Sequence, residues 1–156
     1  MHIWVDADAC PAVIKDILYR AAERTKIPLT LVANKLLRTP RSPYISALQV
    51  PRGIDVADSH IVRELAPGDL VVTADIPLAD RSLKAGAAVI GNTGVPFTPS
   101  SIGMAMANRE LLSNLRAMGE ITGGPKPMAS RDRSRFLSAL DEAVQKVRRR
   151  NHPTSP

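Results

Sequence analysis

Aromatic side chains are scarce in this chain of 156 residues, which has two Phe, two Tyr and one Trp. Base stacking on aromatics is therefore not its main means of recognising any ligand. The single cysteine, Cys10, excludes an internal disulfide. With only His2, His60 and His152 beside it, no Cys/His zinc site is expected. No apolar run approaches the roughly 20 residues that cross a bilayer, so no membrane partner is expected. The start, Met1-His2-Ile3-Trp4, reaches Asp6 without the basic and apolar regions of a signal peptide, and a cytoplasmic location is the expectation. Neither a Walker loop nor a Gly-x-Gly-x-x-Gly fingerprint is present.

Positive charge, in contrast, is abundant and unevenly placed. The net charge is +6 and the pI near 10.0. Lys35, Arg38, Arg41 and Arg52 stand in a stretch with no acid, and residues 125–150 hold eight bases against Asp132, Asp141 and Glu142. The remainder is net negative. Acidic residues flanked by basic surface suit metal-assisted chemistry on a polyanion. A solvated, purely solubilising surface is the plainer alternative, and at the C-terminal end of the last helix the cations also complement the helix dipole.

Strand and helix patterns alternate over the first 90 residues, the signature of βαβ units and a parallel sheet. Strands are expected near 2–6, 29–33, 45–50, 70–73 and 87–90, giving an open, doubly wound, five-stranded sheet. A helix is expected from Pro11 to Arg24, with Val13, Ile14, Ile17, Leu18, Ala21 and Ala22 at helical spacing. Residues 35–46 read as a loop. Asp55 is expected to cap a helix ended by Pro67-Gly68, and Ile76 to Ala85 forms the next. After Gly91 the strand pattern ceases. A helix to about Met118 is expected to turn Ile102, Met106, Leu111, Leu112 and Leu115 to the sheet. A Gly123-Gly124-Pro125 turn or linker follows, then a helix from about Ser130 to Arg149 with Phe136, Leu137, Leu140, Ala143, Val144 and Val147 on one face. Residues 151–156 form a loose tail. The length fits one domain with a real core.

Chemistry is concentrated in carboxylates at strand ends. Asp6 and Asp8 follow the apolar run Ile3-Trp4-Val5, and Asp75 and Asp80 follow Leu70-Val71-Val72-Thr73. Acids held close together repel unless a cation or a shared proton relieves them, and ligands of α/β proteins sit above the strand ends. If the two strands are neighbours, the four carboxylates share one pocket able to hold Mg²⁺ or Mn²⁺. Asp6, Asp8, Asp75 and Asp80 are the candidate catalytic and metal-ligating residues. Asp58, in the first turn of its helix, is a further candidate ligand. Thr73 can hold a carboxylate or a water, and Asn34 a phosphate or a water. Lys35, Arg38 and Arg41 are candidate grips on a phosphate backbone. Each has a plainer alternative: Asp8 and Asp75 as helix caps, Asp80 as a solvated residue, Asn34 as a turn former, Thr73 as a strand residue. Cys10 reads as a small buried residue.

The motifs Val5-Asp-Ala-Asp-Ala-Cys-Pro11, Val72-Thr-Ala-Asp-Ile-Pro-Leu-Ala79, Gly123-Gly-Pro-Lys-Pro127 and Asp132-Arg-Ser-x-Phe136 resemble those of the YaiI/YqxD family of uncharacterised bacterial proteins, within the PIN-like nuclease superfamily. The resemblance implies a PIN-like three-layer α/β/α fold with a central, mainly parallel five-stranded sheet, plus C-terminal helices. It implies one domain over 1–150, with a core of 1–118 and a helical elaboration of 119–150. Asp6 would match the first-strand acid, Thr73-x-Asp75 the Thr-x-Asp motif, and Asp80 the acid beyond it. Asp58 is the candidate for the helical acid of the middle of the chain. Arg133 or Arg135 of the elaboration is expected near the pocket or on a substrate phosphate.

The leading expectation is a Mg²⁺- or Mn²⁺-dependent hydrolase of phosphodiesters, with RNA before DNA as its partner. Two alternatives are a non-catalytic RNA-binding or partner-binding domain and a haloacid-dehalogenase-like phosphatase. The absence of a flap between Asp8 and the first helix counts against the last. A homo-oligomer is left open.

Overall fold

Ile3, Val5, Leu29, Leu31, Leu70 and Val72 are fully buried because the strands that carry them lie inside the sheet with both faces covered. The computed structural model describes residues 1–53, 55–117 and 130–151. The expected turn at Gly123-Gly124-Pro125 and the tail beyond Asn151 lie outside the described residues, as do the side chains of Leu112, Leu115 and Val147. The strands are β1 (Ile3–Asp6), β2 (Leu29–Ala33), β3 (Ile45–Gln49), β4 (Leu70–Val72), β5 (Ala88–Ile90) and β6 (Pro96–Phe97). The helices are α1 (Ala12–Thr25), α2 (Val56–Glu64), α3 (Ile76–Lys84), α4 (Ile102–Ala117) and α5 (Ser130–Asn151).

The sheet order is β3-β2-β1-β4-β5-β6. It has six strands, not five. The sixth is the two-residue β6, antiparallel to β5 with Val89 opposite Phe97. Its Pro96 and short length hid it, because two residues carry no readable alternation. All other pairings are parallel, and β1 lies directly between β2 and β4 in the registers Ile3↔Leu29 and Ile3↔Leu70. The chain runs outward from β1 through β2 to β3, then returns to start β4 on the other side of β1. That reversal opens a crevice above the carboxyl ends of β1 and β4.

Helices cover both faces. On one face Ile14, Leu18, Ala21 and Ala22 of α1 and Phe136, Leu140 and Val144 of α5 pack on Ile3, Val5 and Leu31. On the other, Ile61 of α2, Leu78 and Ala79 of α3 and Ile102 of α4 pack on Val32, Val71 and Val89. Burying a side chain such as Phe136 contributes about 1.5–3 kcal/mol. The C-terminal helix therefore joins the same core as β1. Three residues expected on apolar faces are exposed instead: Val13, Leu111 and Leu137. Each sits at the margin of its helix stripe, where helical spacing alone does not decide which side chain meets the sheet.

Gly94 shows how α5 is seated. Its φ is +86°, and a Cβ there would stand 2.5 Å from the backbone of Arg135 and Phe136. The β5–β6 turn thus lies against the α5 backbone, an approach that only glycine allows.

At the opposite end of the sheet, buried Asp69 gathers three donors. The His2 amide reaches its Oδ1 at 3.0 Å, and Trp4 Nε1 and the Ala66 amide reach its Oδ2 at 3.2 and 3.0 Å. This network ties β1 to the entry of β4 and leaves the other end of both strands for the site. No described helix is long and apolar enough to cross a membrane.

Candidate functional site

Side chains alternate along a strand, so Asp6 shares with Trp4 the face of β1 that packs against α2 and α3. That places its carboxylate in the crevice, half-buried. The strand β1 ends at Asp6, and Asp8 sits in a 3₁₀ turn, Ala7–Ala9. The turn is held by Asn92 of the β5–β6 turn, whose Nδ2 donates to the Ala9 carbonyl at 3.1 Å. Asp8 still faces the crevice because its Oδ2 accepts from the Asn34 amide at 2.9 Å. It does not cap α1, which starts behind Pro11 with no side-chain cap.

Across β4, Thr73 is fully buried. Its Oγ1 donates to Asp6 Oδ2 at 3.0 Å and accepts from the Asp75 amide at 3.0 Å. Asp75 is the N-cap of α3, with Oδ1 accepting from the Leu78 amide at 2.9 Å. Cap and site residue are thus the same carboxylate. Asp6, Asp8 and Asp75 each spend one oxygen on a hydrogen bond within the fold, and the other meets no donor among the described residues.

The cavity that these three line with Asp58, Asp55 and Asn34 has a volume of about 210 Å³. Val50, Pro51 and Gly53, at the exit of β3, close its far wall. Among the described residues no Lys or Arg is ion-paired with Asp6, Asp8, Asp58 or Asp75. The consequence is visible in their acidity. Burial pushes the Asp58 carboxyl up to about 6, helped by the nearby charges of Asp75, Asp6 and Asp55 and opposed by Arg81. Burial also raises Asp6, against the Thr73 hydrogen bond and with the charges of Asp75 and Asp8. The donors are hard oxygens, the chemistry that Mg²⁺ and Mn²⁺ prefer. As the side chains stand, no three His, Cys, Asp or Glu among the described residues form a group that would hold a metal ion.

The other candidates fall outside the cavity. Asp80 lies one turn along α3, where its Oδ2 accepts from Lys84 Nζ at 3.0 Å. Asp58 and Asp55, not Asp80, join Asp6, Asp8 and Asp75 in lining the cavity. Lys35, Arg38 and Arg41 are exposed on the connection that leaves Asn34. Arg133 donates to Ser130 Oγ at 3.4 Å and does not line the cavity. Asp55 occupies the N-cap position of α2 but is left-handed (φ 62°) and makes no side-chain cap bond, so it is a wall of the cavity rather than a cap. Its spacing from Asp58, three residues along a helix start, was the signal that both share a face. Cys10 is buried and its thiol is pushed up to about 12 by that burial, which makes it an inert core residue.

A mostly parallel α/β sheet with an acidic cavity at its topological switch point defines the class. The chain belongs to the YaiI/YqxD family of uncharacterised bacterial proteins, whose model matches residues 4–146. It is 54% identical over 154 residues to UPF0178 protein RPA2191 of Rhodopseudomonas palustris, covering 98% of this chain and 96% of that one. It is 54% identical over 146 residues to UPF0178 protein BPP1051 of Bordetella parapertussis, covering 94% and 91%. UPF0178 protein bll3966 of Bradyrhizobium diazoefficiens is 51% identical over 149 residues, covering 96% and 88%. No solved structure matches the chain.

Proposed function

We propose that this protein is a Mg²⁺- or Mn²⁺-dependent phosphodiester hydrolase of PIN-like kind, acting on RNA. The observation that carries this reading is the convergence of Asp6, Asp8, Asp58 and Asp75 on one cavity at the β1/β4 crevice, with no Lys or Arg among the described residues ion-paired to them. Carboxylates in such a place raise one another's pKa and weaken the fold unless a cation relieves them. Asp6, Asp8 and Asp75 would hold the metal through their free oxygens, with Asp58 facing them from α2 and Asn34 at the rim. A metal bound there supplies an activated water and charge stabilisation for in-line attack at phosphorus. Thr73 orients Asp6 and the start of α3 together, so the two central carboxylates keep one relative position. The exposed cations Lys35, Arg38 and Arg41, next along the chain from Asn34, attract a polyanion to an otherwise acidic mouth. No room for a phosphatase flap exists between Asp8 and α1, which argues against a haloacid-dehalogenase-like enzyme.

A second reading, an RNA-binding or partner-binding domain without catalysis, is favoured by one observation: no three acidic side chains stand at ligating positions among the described residues. One experiment separates the two. Metal-stripped protein is given labelled single-stranded and structured RNAs with Mn²⁺ or Mg²⁺, beside Asp6→Asn and Asp75→Asn. Metal-dependent cleavage lost in both variants supports the hydrolase; RNA binding without cleavage supports the second reading.

A further inference from the structure

Resting on the reading of the acidic cavity as a phosphodiester site, we propose that the groove between α1 and the β2–β3 connection is a second subsite. It seats a base of a single-stranded RNA whose backbone follows that connection from the acidic cavity.

Because β2 and β3 are parallel and paired over five residues, their connection must travel back the length of a strand, about 16 Å at about 3.3 Å per residue. Its start is at the acidic cavity, which Asn34 lines. Its end is at the groove, which Pro40 and Ile45 line together with Tyr19, Arg20, Glu23 and Arg24. Leu37 and Tyr44 pack into the core on the α1 side, which fixes the connection to that face of the sheet. Lys35, Arg38 and Arg41 recur along it at every third residue, all exposed, with no acid between Asn34 and Ile54. None of the three is ion-paired among the described residues. The connection is a cationic track joining two cavities.

The two cavities differ in what they admit. Small-molecule pockets run from about 300 to 1,000 Å³. The acidic cavity, at about 210 Å³, takes a phosphate-sized group, whereas the groove, at about 530 Å³, has room for a nucleobase. The groove is lined by the Tyr19 ring, the ring of Pro40 and the aliphatic Ile45, surfaces on which a base stacks. Arg20 is exposed and in no ion pair among the described residues, while Arg24 is engaged by Asp141 at 2.8 Å. Glu23 is the one anion of the lining and disfavours a phosphate there, so the groove takes the base and the track takes the backbone.

Binding of a fluorescent single-stranded RNA, read by anisotropy in chelator, tests this, with photo-crosslinking from one thio-substituted base and mapping of the linked peptide. Tyr19→Leu keeps the buried bulk and removes the ring; Arg20→Gln changes only an exposed residue and guards against a folding defect in the first. Each is expected to weaken binding by about tenfold, with crosslinks on the peptide containing Tyr19. Changing Arg38 and Arg41 together to Gln is expected to lower the slope of log affinity against log salt by about 1.4. Wild-type affinity in both groove variants, with crosslinks elsewhere and metal-dependent cleavage intact, overturns the subsite alone. Failure of the wild type to bind RNA overturns the subsite and the hydrolase reading together.

Discussion

Thr73 Oγ1 joins the two central carboxylates: it donates to Asp6 Oδ2 and accepts from the Asp75 amide, each at 3.0 Å. A hydroxyl can donate and accept at once. Thr73→Val keeps the shape and leaves the Asp75 amide and Asp6 without partners. It is expected to cost about 1–3 kcal/mol in urea unfolding and to weaken Mn²⁺ binding in calorimetric titration. Thr73→Ser should restore both; a valine variant that binds Mn²⁺ as the wild type does would falsify the orienting role.

Asp75→Asn should retain the fold, because asparagine caps a helix as well as aspartate does. It should nevertheless lose metal-dependent cleavage. Asp80→Ala removes only an exposed-side pair with Lys84, a contact of about 0.3–0.5 kcal/mol, and should cleave at the wild-type rate. Single-turnover cleavage of one RNA by both proteins checks the assignment, and loss of cleavage in Asp80→Ala would return that residue to the site.

The raised pKa values of Asp58 and Asp6 set a pH dependence. A carboxyl with a higher pKa in the folded than in the unfolded state binds more protons when folded. Its ionisation therefore destabilises the fold as pH rises from the ordinary carboxylate value of 3.8 through the folded value of about 6 for Asp58. In chelator, the melting temperature should fall between about pH 4 and pH 6, and Asp58→Asn should flatten that fall. Added Mn²⁺ should raise the melting temperature most at pH 7, where the carboxylates are ionised. A profile identical in Asp58→Asn would remove Asp58 as its source.

Asp69→Ala leaves the His2 amide, Trp4 Nε1 and the Ala66 amide without their acceptor. Each orphaned, part-buried donor costs about 1–3 kcal/mol, so the variant should lose about 3 kcal/mol or more in denaturant unfolding. Loss of less than about 1 kcal/mol would mean that water replaces the carboxylate.

Gly94→Ala combines a left-handed backbone with a Cβ at 2.5 Å from the α5 backbone. Neither backbone can give without moving α5 off the core. Destabilisation of about 3 kcal/mol or more is expected, and an unchanged midpoint in urea would show that α5 is not seated there.

The strands β1, β2 and β4, the helices α1, α3 and α5, and Asp6 with Asp75 were legible in the sequence. Local rules govern each: continuous apolar runs make buried parallel strands, helical spacing marks a stripe, and an acid after a buried strand has no packing role. The neighbourhood of β1 and β4 was legible only as a condition, because pairing between residues 3–6 and 70–72 is a matter of the whole sheet. Asp58 was a candidate from its place in the first turn of its helix; tertiary structure alone decided that Asp55 joins it in the cavity and that Asp80 does not. On α3 the step from Asp75 to Asp80 carries the second side chain around the helix to Lys84, while α2, which is distant in sequence, is brought over the strand ends by packing of Ile61 into the core. The same holds for Asn92 beneath the Asp8 turn and for the groove beside Tyr19. A spacing rule reaches along one element; the distance between elements depends on how their apolar faces close on a common sheet.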